Sequence, residues 1–234
     1  MLLRVPRVTM SSNDNVGKRS TFVGWPWGIV LLVVALGVAF AYLNDNLWAE
    51  GKSHPATGRD APAFDLVRLI PAPNGYRDAN DEPFGLPESA ELQGRVTLLH
   101  FWGTWCPPCR AEFPELWKMT RDFADQPHFR WVNVSCGSSV ETDLDELRDS
   151  TLRFYRSFGM GEPETFADPQ GLTRVSLSRQ LQEDMAYPTT VLIDGDGLIA
   201  GVWIGYTPQG VNQMRRLTQD LMGQLKPPAM LTSL

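Results

Sequence analysis

Cysteine and histidine are scarce in this chain, with three of each in 234 residues. A closed structural zinc site needs four such ligands, usually as two spaced pairs. Cys106 and Cys109 make one pair, but Cys136, His54, His100 and His128 supply no second one. Structural zinc is therefore set aside. Basic charge is not in excess either, with 21 Lys and Arg against 27 Asp and Glu. That balance offers no basic face for a phosphate backbone, so nucleic acid is not an expected partner. Internal repeats and low-complexity tracts are also missing. The length allows one core of ordinary domain size plus an appendage.

Charge is absent altogether from Ser20 to Asn44, and Ile29 to Leu43 is almost wholly apolar. A helix over Trp25–Leu43 would be about 28 Å long, close to one hydrocarbon core. Trp25, Trp27 and Tyr42 stand near its ends, where interfacial aromatics belong. Arg4, Arg7, Lys18 and Arg19 precede the stretch, which keeps residues 1–24 on the cytoplasmic side and exports the chain beyond residue 43. Residues 25–43 are thus expected to be a single-pass transmembrane anchor. The alternative is a signal segment cleaved after Ala39-Phe40-Ala41, which would release the exported part. No cysteine lies nearby for a lipid attachment. Either way the three cysteines face an oxidising, extracytoplasmic space.

Residues 44–57 are polar and read as a linker, 58–226 as the folded domain, and 227–234 as a tail. Ala63–Leu69 is a short strand candidate, and the prolines and Asn74-Gly75 of residues 70–88 predict loop. Val96–Trp102 reads as a buried strand. Phe113, Leu116, Trp117, Thr120 and Phe123 fall at helical spacing after it, with Pro114 placed to kink that helix. His128–Ser135 is the next strand. Thr142 followed by Asp145 resembles a capping box, opening a helix whose apolar stripe runs from Leu144 to Phe158 and stops at Gly159. Thr189–Ile193 and Leu198–Ile204 form a hairpin across Asp194-Gly195-Asp196-Gly197. That string lacks the further oxygen ligands of a calcium loop and reads as a turn. Thr207-Pro208 caps a last helix with Val211, Met214, Leu217, Leu221 and Leu225 buried. The alternation predicts an α/β fold, a central mixed sheet flanked by helices on both faces.

The chemistry concentrates in Trp105-Cys106-Pro107-Pro108-Cys109. Two thiols at this spacing, where a buried strand hands over to a helix N-terminus, make a redox pair. Free N–H groups and the helix dipole favour the thiolate there. Cys106, first at the helix start and the more exposed position, is the expected attacking thiol, and Cys109 the resolving one. Pro107 and Pro108 stiffen the loop and remove two donors from the surroundings of the sulfur. The dithiol carries the electrons itself, so neither cofactor nor metal is expected. Cys136 is left over, either a small buried residue or a thiol near the top of the sheet.

Phe101 to Cys109 (Phe-Trp-Gly-Thr-Trp-Cys-Pro-Pro-Cys), Gly58 to Leu66, Glu112-Phe113-Pro114, Tyr187-Pro188-Thr189-Thr190 and Ile193 to Gly197 together resemble the membrane-anchored TlpA/ResA-type thiol-disulfide oxidoreductases of the thioredoxin superfamily. The likeness runs from about Gly58 to Met222. It implies a thioredoxin-like fold, a cis Pro188 beside the dithiol, and substrate binding by Trp105, Tyr187 and Pro188. It implies that Glu112 lies close to the dithiol and tunes its protons, against the plainer role of a first-turn helix acid. It also implies protein disulfides as substrates, apocytochrome c among them, with a membrane protein as electron donor. His100 departs from the family pattern, which has Asp or Asn at that place. It is expected to be buried, either hydrogen-bonded within the core or relaying a proton to Cys109. Two other functions compete. A peroxiredoxin-like peroxidase shares the Ala-Pro-x-Phe entry, but Thr104 is too close to Cys106 and no suitable proline precedes it. A non-catalytic client-binding module would use only the groove beside Pro188.

Overall fold

Residues 25–47, 50–72, 92–139 and 143–225 are described in the computed structural model of the protein. The chain divides into two units, Met1–Leu47 and Trp48–Leu234. The first contains α1, Trp25–Leu47, which starts where the sequence predicts a helix and runs four residues past the expected Leu43. Its described side chains, those of residues 28–39, are exposed. Among the described residues no helix is long and apolar enough to cross a membrane.

The second unit is a six-stranded mixed sheet. Its strands are β1 (Val67–Ile70), β2 (Val96–Trp102), β3 (Phe129–Ser135), β4 (Thr165–Ala167), β5 (Thr189–Ile193) and β6 (Ile199–Ile204), in spatial order β1-β4-β3-β2-β5-β6. β2, β3 and β4 are parallel, while β5 and β6 continue antiparallel on one side and β1 closes the other. The helices are α2 (Pro107–Arg121), α3 (Leu144–Ser157), α4 (Leu172–Leu181) and α5 (Pro208–Gln224).

The alternation of β2 sorts the core into two sides. Successive side chains of a strand point to opposite faces. Val96, Leu98 and Trp102 pack with residues of α2, α3 and α5, whereas Leu99 and Phe101 pack with Leu177 and Leu181 of α4. All seven β2 residues are buried because both faces are covered. His100 lies between Leu98 and Trp102 on the α2 side. That placement decides its chemistry.

Phe113 of α2 is the centre of an aromatic cluster, with ring centroids 4.1 Å from Trp102, 5.4 Å from Phe154 and 5.5 Å from Tyr155. A polar chain runs behind it. Trp102 Nε1 donates to Asn133 Oδ1 at 2.7 Å, and Asn133 Nδ2 donates to the Tyr155 hydroxyl at 2.8 Å and to Thr165 Oγ1 at 3.1 Å. Every member is buried and partnered, which is the condition for such a network to rigidify a core.

Several boundaries differ from those predicted. The stretch expected as linker, 44–57, enters the domain before its end. Glu50–Ser53 forms a 3-10 helix, a Cβ on Gly51 would meet the Trp203 ring at 2.3 Å, and Ala56 is fully buried. The Gly58 N–H donates to the Ile199 carbonyl at 2.8 Å. The strand expected at Ala63–Leu69 starts later and ends one residue further on, at Val67–Ile70. α3 is capped by Asp143, whose carboxylate accepts the N–H groups of Asp145 and Glu146; Thr142 lies outside the described residues, as do 73–88 of the predicted loop. Pro114 sits inside a continuous α2. Neither β4 nor α4 was expected. At the hairpin turn Asp194 Oδ1 accepts the N–H groups of Asp196 and Leu198, so the carboxylate closes the turn itself.

Phe113→Ala is expected to cost about 3–5 kcal/mol, the usual penalty for a buried aromatic truncated to a cavity. Guanidinium denaturation of the oxidised domain measures it.

Candidate active site

The site is assembled where β2 ends. After Trp102 the chain turns through Gly103, and a Cβ there would lie 2.4 Å from Trp105 Nε1 and 2.9 Å from the Cys136 carbonyl. Only glycine lets the Trp105 indole fold back far enough to donate to that carbonyl, at 2.9 Å. Cys106 comes next as the N-cap of α2, with Pro107 and Pro108 opening the helix. Proline suits those positions because their N–H groups have no partner inside the helix.

Cys106 and Cys109 are joined in a disulfide, with Cα atoms 5.3 Å apart. Cys106 keeps 3 % of its surface and Cys109 none, so an incoming thiolate meets Cys106 first. The Cys109 N–H lies 3.3 Å from the Cys106 sulfur and caps the helix through it. With two prolines between them, this is the donor that the helix start presents to the sulfur.

From the opposite side comes the segment before β5. The Tyr187–Pro188 bond is cis, as the family likeness implies. The Tyr187 carbonyl oxygen lies 3.6 Å from the Cys106 sulfur, and the Tyr187 ring meets Trp105 edge-on at 5.4 Å. Trp105, Cys106, Tyr187 and Pro188 are therefore brought together. Antiparallel pairing of Phe101 with Thr189 holds the two halves level.

Glu112 lies one turn beyond Cys109 on the inner face of α2 and is 1 % exposed. The first turn of α2 contains no acidic residue, so the role of a first-turn acid is excluded. Its Oε2 faces His100 Nε2 at 3.8 Å, and neither atom has a hydrogen-bond partner. That distance is too long for a hydrogen bond. Burial pushes the Glu112 carboxyl up to about 8, with repulsion from Glu115 adding to it. Burial also holds the His100 imidazole down at about 3. Both groups are therefore neutral near pH 7 and the contact is not an ion pair. His100 Nδ1 is 2.9 Å from Thr190 Oγ1. If the ring proton sits on Nδ1, Nε2 presents a lone pair to the protonated carboxyl.

Cys136 is buried and free, and burial pushes its thiol up to about 12. It interacts with the Tyr187 side chain. Two residues that the sequence reading missed complete this corner. Arg174 Nη1 donates to the Tyr187 hydroxyl at 2.9 Å, and Arg174 Nε donates to Asp168 Oδ2 at 3.1 Å. Asp168 lies just after β4 and Arg174 on α4, the two elements whose patterns gave no signal. Among the described residues no cluster of His, Cys, Asp or Glu could hold a metal ion.

Residues 57–202 match the AhpC/TSA family. The chain belongs to that family. Within it the resemblance is to thiol-disulfide oxidoreductases. The ResA protein of Bacillus subtilis is 28 % identical over 201 residues, 86 % of this chain and 91 % of that protein. The DsbE thiol:disulfide interchange protein of Pseudomonas aeruginosa is 33 % identical over 164 residues, 64 % of this chain and 79 % of that protein. In fold, a chain from Chlorobium tepidum named as a thiol:disulfide interchange protein DsbE superposes with a TM-score of 0.50 at 23 % identity, over 71 % of this chain and 98 % of that one. The expected thioredoxin-like α/β fold is thereby met, and this AhpC/TSA member is an oxidoreductase whose Cys106–Cys109 pair fits a redox dithiol.

The neutral pair sets the pH dependence of stability. Glu112 has a folded pKa above its unfolded value of 4.5, so its proton stabilises the fold at low pH and that contribution is lost between pH 4.5 and about 8. His100 has a folded pKa below its unfolded value of 6.5, so its contribution is present above pH 6.5 and lost towards about 3. Between pH 4.5 and 6.5 the two slopes cancel. Denaturation of the oxidised domain should show declining stability from pH 6.5 to 8, and Glu112→Gln should flatten that decline and leave the variant the more stable at pH 8.

Proposed function

We propose that this protein reduces disulfide bonds in other proteins on the extracytoplasmic face of a membrane. The observation that carries this reading is the position of Cys106. Its sulfur caps a helix, faces the carbonyl of Tyr187 beside cis-Pro188, and covers a wholly buried Cys109.

In the reduced protein the Cys106 thiolate attacks one sulfur of a client disulfide. A mixed disulfide forms and the client's other sulfur leaves as a thiolate. Cys109 then attacks Cys106, restoring the internal disulfide and releasing the second client thiol. The client gains two electrons and two protons. A membrane protein carrying a dithiol reduces Cys106–Cys109 again by the same exchange in reverse. The client backbone lies along Tyr187 and Pro188, against the exposed Trp105.

Cys109 must lose a proton to attack and regain one when the disulfide is reopened. Glu112, one turn away and out of water, is the group suited to exchange it, because its pKa of about 8 lies close to that of a thiol. His100 is read as a positioning residue that faces the Glu112 carboxyl at 3.8 Å from the β2 side. The haem-attachment cysteines of apocytochrome c are the leading client class, as the TlpA/ResA-type likeness of the motifs implies.

Support for export comes from the uncharged run of residues 20–44 with the basic residues before it, whereas no helix among the described residues is long and apolar enough to cross a membrane. The peroxidase reading has no support in the spacing around Cys106. The binding-module reading predicts activity without Cys106.

Cys109→Ser should accumulate a covalent mixed disulfide with its client, which Cys106→Ser should not form, as read by non-reducing electrophoresis and mass spectrometry. A wild-type protein that fails to cycle between dithiol and disulfide, or a Cys106→Ser protein with full client activity, would overturn the proposal. The rate of the resolving step should rise with pH through about 8, and Glu112→Gln should slow it at least tenfold and remove that inflection.

A further inference from the structure

Two groups of opposite sense face the Cys106 sulfur. The Cys109 N–H, at 3.3 Å, favours a negative sulfur. The Tyr187 carbonyl oxygen, at 3.6 Å, does the reverse. A thiol can donate to that oxygen, whereas a thiolate is repelled by it. How firmly the carbonyl is held therefore decides how much of the second effect Cys106 feels.

The chain that carries this carbonyl is held by side chains. From Glu183 to Tyr187 no backbone group is bonded to another backbone group among the described residues. Thr189 Oγ1 donates to the Ala186 carbonyl at 2.6 Å, and Arg174 Nη1 donates to the Tyr187 hydroxyl at 2.9 Å. Arg174 is itself immobilised. Its Nε donates to Oδ2 of the buried Asp168 at 3.1 Å, and its Nη2 donates to the Asp168 carbonyl at 2.9 Å. The same Oδ2 accepts the Arg174 backbone N–H at 2.9 Å. A planar guanidinium bound at both edges keeps little freedom of its own. Tyr187 is thus tied by its hydroxyl to a fixed point at the start of α4.

We propose that the Asp168–Arg174 pair is a brake on Cys106: by fixing Tyr187 it keeps the carbonyl on the sulfur, so that Cys106 rests as a thiol and attacks more slowly than the helix start alone would allow. The proposal rests on the redox reading above. Arg174 and Asp168 are positioning residues, because both act through Tyr187. The contact also has a redox sense. The reduced sulfur has a proton to give to the carbonyl and the disulfide sulfur has none. Wherever Cys106 is protonated, the brake therefore favours the dithiol over the disulfide.

The charge of Arg174 acts the other way. A nearby cation favours a thiolate, so loss of the charge alone would make Cys106 less reactive. Position and charge are therefore distinguished by sign. Of the other titratable groups around the site, Cys109 and Glu112 lie on α2, His100 on β2 and Cys136 just after β3, and neither variant below alters them.

The test uses the reduced full chain and iodoacetamide, an uncharged reagent that reacts with thiolate, with the label assigned to Cys106 by mass spectrometry. At pH 6, Arg174→Met and Tyr187→Phe should each be alkylated at least threefold faster than wild type, and the advantage should vanish at pH 10, where thiols are ionised. In glutathione buffers at pH 6 both variants should shift at least threefold towards the disulfide. Unchanged rates in both variants would overturn the brake. So would slower alkylation of Arg174→Met with Tyr187→Phe unchanged, which is the signature of charge alone. An equal gain at pH 6 and pH 10 would also overturn it, because that marks a site merely opened. Each of these leaves the redox reading intact. A wild-type chain that never exchanges with glutathione would overturn that reading and the brake with it.

Discussion

The start of α2 depends on a sulfur atom. A helix leaves its first N–H groups without partners, and an oxygen side chain usually takes one of them. Here the first two residues are prolines, which have no N–H to satisfy, and the Cys106 sulfur receives the N–H of Cys109. One contact therefore begins the helix, sets the spacing of the two sulfurs, and polarises the one that faces outward. The arrangement works only because β2 delivers the chain at that point. β2 is buried on both faces and pairs on both sides, so its end is among the most firmly held places in the sheet.

The same burial explains the unusual pair behind the disulfide. A carboxylate and an imidazolium out of water would each carry a heavy desolvation penalty. Glu112 and His100 avoid that penalty by remaining neutral. The Glu112 proton is then available one helical turn from Cys109, in a place water does not reach. The fold accepts a weakly satisfied polar contact in its interior, which is where strain from function is usually found. Tyr187 is held from three directions: Arg174 at its hydroxyl, Trp105 against its ring, and the cis bond to Pro188.

Much of this was legible in the sequence, and the exceptions have physical causes. Val96–Trp102 was readable because a run of apolar residues before Cys106 leaves little choice. α5 was readable because Thr207-Pro208 supplies a side-chain cap and a fixed first turn. α4 was invisible for the opposite reasons. Its N-cap is Gly171, with no capping side chain. Exposed Leu172 and Val175 and buried Thr173 break the apolar stripe. β4 has three residues, too few for a period to emerge. The cysteines and Pro188 were found through motif and likeness, whereas Asp168 and Arg174 fell with the elements that carry them. His100 was expected to be buried, but its meeting with Glu112 arises from α2 covering that face of β2, which a sequence does not state.

The two halves of the site come from different parts of the chain, 81 residues apart at Cys106 and Tyr187, and one ladder aligns them. Phe101 pairs with Thr189, and Pro188 immediately precedes that pair. A slip of one residue between β2 and β5 would turn every β5 side chain to the other face and carry the proline loop away from the sulfur. Competent disulfide exchange thus doubles as an assay of folding quality, since only molecules with the central ladder correctly aligned would register in it.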